Sequence, residues 1–113
     1  MSDSAALDAL AETIRARIAS GDPDRSYVAR LHGAGRDAIL KKLGEEAAEV
    51  LIAAKNDDPV NLVHELADLW FHCAVRMAHA VIAPEQLYGE IARRAGTSGI
   101  AEKASRGTSS NGA

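Results

Sequence analysis

Between Arg36 and Lys55 the apolar residues Ile39, Leu40, Leu43, Ala47, Val50, Leu51 and Ala54 return every three or four positions, and no proline interrupts them. That period suits a helix with one buried side and does not suit a strand. Asn56-Asp57-Asp58-Pro59 ends the run and starts another, with Asp58 placed to cap and Pro59 to sit in the first turn. The next helix is expected from Pro59 to about Ala80, with its stripe on Leu62, Val63, Leu66, Leu69, Trp70, Cys73 and Met77. On either side the same logic gives two more. Leu7, Leu10, Ile14 and Ile18 mark a first helix that Asp3 or Ser4 would cap and Gly21-Asp22-Pro23 would end. Pro84 opens a last one through Leu87 and Ile91 to about Ala95, closed by Gly96.

From Asp24 to Gly35 the expectation is a loop with room for one helical turn, long enough to suggest function. The final Gly107 to Ala113 reads as a flexible tail, which leaves residues 1–106 as a single helical catalytic domain. Aromatic residues are only 4% of the chain, so aliphatic side chains and alanine must fill the core, which favours helices in close contact. The expected fold is therefore all-α, a four-helix, bundle-like domain. Ala48 and Ile52 fall off the main stripe of the Arg36–Lys55 helix, so its later half wants cover on a second side. That predicts a second subunit, a homodimer.

The balance of charge narrows the function. A net charge of −3 offers no strong basic field for a nucleic-acid backbone. Cys73 is the only cysteine, so no intrachain disulfide can form and a reducing compartment is expected. Met1 to Ser20 lacks the basic and continuous apolar regions of a signal peptide, and no apolar run approaches the roughly 20 residues of a membrane span. A cytoplasmic protein without nucleic-acid or membrane partners is expected.

The chemistry concentrates in five acids. At roughly 100° per residue, Glu45, Glu46 and Glu49 share one arc, while Glu65 and Asp68 share one face of the next helix. Both groups border apolar stripes. Carboxylates crowded at the edge of a core repel one another and resist losing water. No Lys or Arg sits between Glu65 and Asp68 to offset this. Hard oxygen donors suit Mg²⁺, Mn²⁺ or Ca²⁺, and Mg²⁺ completes its shell with water and substrate phosphates. A di-iron centre would want Glu-x-x-His, and no Glu here has His three residues on.

The two pairs Glu46-x-x-Glu49 and Glu65-x-x-Asp68, with fifteen residues between them, resemble the metal-binding signature of the all-α, MazG-like nucleotide pyrophosphohydrolases. The run from Ser26 to Leu31, the run from Ile39 to Val50, Ile52-Ala53-Ala54-Lys55-Asn56, the stretch from Glu65 to His72 and the stretch from Ser98 to Arg106 are similar to the phosphoribosyl-ATP pyrophosphohydrolase family of histidine biosynthesis. The resemblance covers roughly Leu7 to Arg106. It implies Mg²⁺-assisted hydrolysis of phosphoribosyl-ATP, a small nucleotide, to phosphoribosyl-AMP and pyrophosphate. On that footing Glu46, Glu49, Glu65 and Asp68 are the metal ligands. Glu45 joins Glu46 and Glu49 in the catalytic set, as a ligand through water or as a base that activates the nucleophile.

Lys42 lies on the arc of Glu45 and Glu49 and is the first candidate for the substrate phosphates, with Lys41 and Lys55 further round. Arg30, Lys103 and Arg106 are candidates from segments that could close over substrate, each otherwise a solvated charge. Asn56 either contacts substrate or caps its helix. His32, His64, His72 and His79 lack ligand spacing, and His72 reads as a packing residue or a support for the ligands. Trp70, Met77 and Cys73 read as core. A pyrophosphohydrolase of damaged or deoxy nucleotides, or a non-catalytic helical module with solvated acids, would carry the same acidic pattern.

Overall fold

A computed structural model describes residues 5–96, 99–100 and 103–106. The described residues include helices α1 (Ala6–Ser20), α2 (Tyr27–Ala34), α3 (Arg36–Lys55), α4 (Pro59–His79) and α5 (Pro84–Ala95), and no strand. The all-α expectation holds, and three of the four expected helices begin and end within a residue of where Pro, Gly and Asp placed them. The caps expected at Asp3 or Ser4 and the 107–113 tail lie outside the described residues.

One element differs. The segment taken for a loop contains α2, a helix of eight residues. Ser26 starts it: its hydroxyl accepts from the Ala29 backbone N–H at 3.1 Å, in a nearly inaccessible position. Gly35, at φ 98°, then turns the chain directly into α3, a conformation an L-residue rarely adopts. Eight residues hold too few apolar positions to declare a period, which is why the pattern passed as irregular.

The chain divides into two units, residues 1–82 and 83–113. In the first, α3 packs most extensively on α4, with α1 and α2 laid across them. A three-residue connection, Asn56 to Asp58, makes α3 and α4 an antiparallel hairpin. Asp58 Oδ1 accepts from the Asn61 N–H at 3.1 Å, the cap expected of it. Asn56 takes the C-cap position of α3, and Asp57 next to it adopts φ 54°. Ile14, Val28, Leu31, Ile39 and Val75 form the buried core, with Leu10, Ile18, Phe71, Ala74 and Ala78 against it. Gly21 ends α1 where a β-carbon would collide with the Arg17 carbonyl and sit 3.1 Å from Ala29 Cβ, so only glycine lets α2 approach. At the other end of α4, Val81 at φ 59° occupies the left-handed position glycine usually fills, which costs about 1 kcal/mol.

The core sits at one end of the hairpin, the start of α3 and the end of α4. The stripe predicted on α4 is therefore displaced. Its buried side is Phe71, Ala74, Val75 and Ala78, whereas Val63, Leu66, Trp70 and Cys73 are exposed. Trp70 and Cys73 are thus not core residues of the single chain, and burial only in part covers the Cys73 thiol, enough to push its pKa up. Helix α4 is apolar on two sides, and α1, α2 and α3 cover one of them.

The second unit is described by itself. Pro84 opens α5, where the Gln86 side-chain carbonyl accepts from the Ala83 N–H at 3.0 Å. Glu90 holds Arg93 (2.7 Å) and Arg94 (3.0 Å), and these guanidiniums pull its carboxyl down to about 2. Residues 103–106 are helical and exposed, Lys103 and Arg106 among them. No helix among the described residues is long and apolar enough to cross a membrane.

Candidate active site on the α3–α4 hairpin

The antiparallel turn sets the level of every acid. Glu49 lies six residues before the end of α3 and Glu65 six after the start of α4. Glu46 and Asp68 each lie nine residues from the same ends. At 1.5 Å per residue both couples are level, at about 9 Å and about 13 Å from the turn. The same register puts Ile39 opposite Val75, and both are fully buried, as facing core residues should be. The acids lie between the Ile39–Val75 end of the hairpin, where the main core cluster sits, and the turn, near which Ala53 is buried.

On α3 the acids are partly neutralised. Lys42 Nζ stands 3.3 Å from Glu45 Oε2 and 3.3 Å from Glu46 Oε1, and these two partners raise the lysine pKa. The Glu46 side chain is only 13% exposed against 49% for Glu45, so Glu46 is the acid set into the protein. Glu49 is exposed. Lys41, Lys55 and Arg30 are exposed too, and none of the three pairs with an acid among the described residues.

On α4 no ammonium or guanidinium among the described residues forms an ion pair with Glu65 or Asp68. His64 Nε2 lies 3.4 Å from Asp68 Oδ2. Ligand atoms of His64, Glu65 and Asp68 fall within 4.8 Å of one another, the group among the described residues able to hold a metal ion. Glu46 and Glu49 are not members of that group. Like-charged carboxylates on facing helices stay apart unless a cation draws them together, and the Glu46 carboxylate turns instead to Lys42. Glu65 and Asp68 carry hard oxygens of the kind Mg²⁺ takes, and Glu46 and Glu49 stand at the level positions on α3; His64 is a softer donor better suited to other metals. His64 is set aside in the sequence with the other histidines as lacking ligand spacing, although its i, i+4 spacing to Asp68 can be counted there.

A second feature was also missed. Tyr27, at the start of α2, donates its hydroxyl hydrogen bond to His72 Nε2 at 2.8 Å. His72 Nδ1–H in turn donates to the Asp68 carbonyl at 2.7 Å. A carbonyl only accepts, so the proton sits on Nδ1 and leaves Nε2 free to accept. The Tyr27 phenol feels the charges of Lys42, Glu46, Glu45 and Arg30, but burial dominates and raises its pKa. His72 is buried, as its reading as a packing or supporting residue required.

A family model described as phosphoribosyl-ATP pyrophosphohydrolase matches residues 7–95. Proteins named phosphoribosyl-ATP pyrophosphatase are similar over nearly their whole length. That of Nitrosospira multiformis is 55% identical across 94% of this chain and 87% of its own. That of Bordetella avium is 50% identical across 88% of each, and that of Methylococcus capsulatus 50% identical across 88% of this chain and 94% of its own.

Proposed function

This chain belongs to the phosphoribosyl-ATP pyrophosphohydrolase family, and we propose from that premise that it hydrolyses phosphoribosyl-ATP to phosphoribosyl-AMP and pyrophosphate with Mg²⁺, as a step of histidine biosynthesis in the cytoplasm. The observation that carries the site assignment is the level placement of Glu46 with Asp68 and of Glu49 with Glu65 across one helical turn-back. The matched stretch runs through both units, which supports reading residues 1–106 as one catalytic domain.

Glu46, Glu49, Glu65 and Asp68 would hold the metal. When bound, Mg²⁺ supplies charge for the developing phosphate oxygens and lowers the pKa of a water. The rest falls to the chain. Water adds across the α–β anhydride: one P–O bond forms, one breaks, and pyrophosphate leaves. Glu45, half-exposed and held by Lys42, would take the proton of the attacking water, directly or through another water. Lys42 is the first cation the polyphosphate meets; Lys41, Lys55, Arg30, Lys103 and Arg106 are further candidates for its charge. Asn56 serves as the cap of α3, and a substrate contact from its side chain is the lesser reading.

The test is pyrophosphate release from phosphoribosyl-ATP against ATP, dUTP and dCTP in Mg²⁺. Phosphoribosyl-ATP is expected to turn over fastest. Faster turnover of a plain nucleotide would make the protein a house-cleaning pyrophosphohydrolase, and no release from any of them would favour a non-catalytic module.

A homodimer is part of this reading. Leu51 of α3 and Val63 and Trp70 of α4 expose 71%, 67% and 55% of their surface in the single chain. Such a stripe of large apolar residues calls for a partner. Light scattering should return twice the 11.9 kDa chain mass, and Val63→Asp should return the monomer. A wild-type monomer at micromolar concentration would end the dimer proposal.

A further inference from the structure

We propose that Tyr27 and His72 are positioning residues that hold the Asp68 turn of α4 in register for the metal ligands, through the chain Tyr27 O–H to His72 Nε2 and His72 Nδ1–H to the Asp68 carbonyl. It rests on the metal reading of Glu65 and Asp68 given above. The carbonyl belongs to the backbone of a proposed ligand. As the carbonyl four residues back in a helix, it is also the ordinary acceptor for the His72 backbone N–H, so the ring adds a second bond to the same oxygen. That ties the turn carrying Asp68 more firmly than helix geometry alone.

The bond needs the tautomer with the proton on Nδ1; the carbonyl acceptor selects it, and a hydroxyl donating to Nε2 reinforces that choice and fixes the ring. Tyr27 supplies the hydroxyl from a different helix, so the bond also fixes α2 against α4. Lys42 and His72 each lie thirteen residues from the turn ends of their helices, so the pair stands level with Lys42 and about 6 Å along the axis from Asp68. The ring of Tyr27 has ample packing without its oxygen: it stacks on Phe71 at 6.2 Å and 25° and meets His72 edge-on at 5.7 Å. The residue as a whole is 40% exposed, while the bond its hydroxyl makes to His72 is part-buried. The phenol oxygen is therefore separable from the packing role, and Tyr27→Phe removes only the oxygen.

The experiment measures Mn²⁺ binding by calorimetry, alongside kcat, KM and thermal unfolding, for the full-length protein, Tyr27→Phe, His72→Gln, His72→Ala and Ser26→Ala. Tyr27→Phe is expected to weaken Mn²⁺ binding about 10-fold and to lower kcat while KM stays within about two-fold. The amide oxygen of His72→Gln can still accept from Tyr27, so this variant should retain more affinity than His72→Ala. Ser26→Ala loosens the start of α2 without touching the phenol and should leave Mn²⁺ binding near wild type. Wild-type Mn²⁺ affinity in Tyr27→Phe overturns the positioning role and leaves the metal reading intact. An equal loss in Ser26→Ala overturns it too, since the effect would then be general loosening. Absence of Mn²⁺ binding by the wild-type protein overturns the metal reading and this one with it.

Discussion

Asp68→Asn should lower kcat/KM on phosphoribosyl-ATP by about 1000-fold, some 4 kcal/mol of transition-state stabilisation. The substitution keeps size and shape and removes one negative charge, so the loss tests charge and not packing. Among the described residues the ion-pair partner of Asp68 is His64, at 3.4 Å, and the Asp68 side chain is 43% exposed. The metal-free variant should be at least as stable as the wild type, because one of a set of mutually repelling carboxylates has gone. Both signs matter. Steady-state kinetics in saturating Mg²⁺ and urea unfolding with chelator present measure them on the same preparation. A variant that loses activity because it unfolds, or one that keeps activity within a few-fold, would remove Asp68 from the ligand set.

The outcome of reading the sequence first can be traced to particular residues. Helix ends were legible because Asp58, Pro59, Pro84, Gly21 and Gly96 act locally, through caps and fixed dihedrals that need no tertiary partner. The level placement of the acids was legible once a three-residue turn joined two strongly periodic runs. Three things were not. Helix α2 is too short to show a period, and its signal was a single capping serine at Ser26. The choice of which side of α4 to bury depends on where α1 and α2 land, and a helix apolar on two sides does not encode it; hence Trp70 and Cys73 were assigned to a core they do not join. The bond from Tyr27 to His72 spans 45 residues and becomes visible only when two helices meet.

Lys42 gives the second large effect, and its direction separates two roles. Its ammonium lies 3.3 Å from both Glu45 and Glu46, so it could be a structural clamp on the acids or the cation that receives the substrate phosphates. A clamp would predict that Lys42→Met disorders Glu46 and weakens the metal. A phosphate ligand predicts the reverse for the metal: with the competing cation gone, Glu46 is free and Mn²⁺ binding is retained or tightened. Loss of a charge-assisted hydrogen bond to phosphate is worth roughly 1.5–3 kcal/mol, so kcat/KM should fall about 10- to 100-fold. Lys41→Met is the comparison, since Lys41 is exposed, lies about 100° round the helix, is paired with neither acid and is the lesser candidate for the phosphates. It should lose less of kcat/KM than Lys42→Met. Weaker Mn²⁺ binding in Lys42→Met would assign the lysine to the clamp, and equal effects at the two lysines would reduce both to general surface charge.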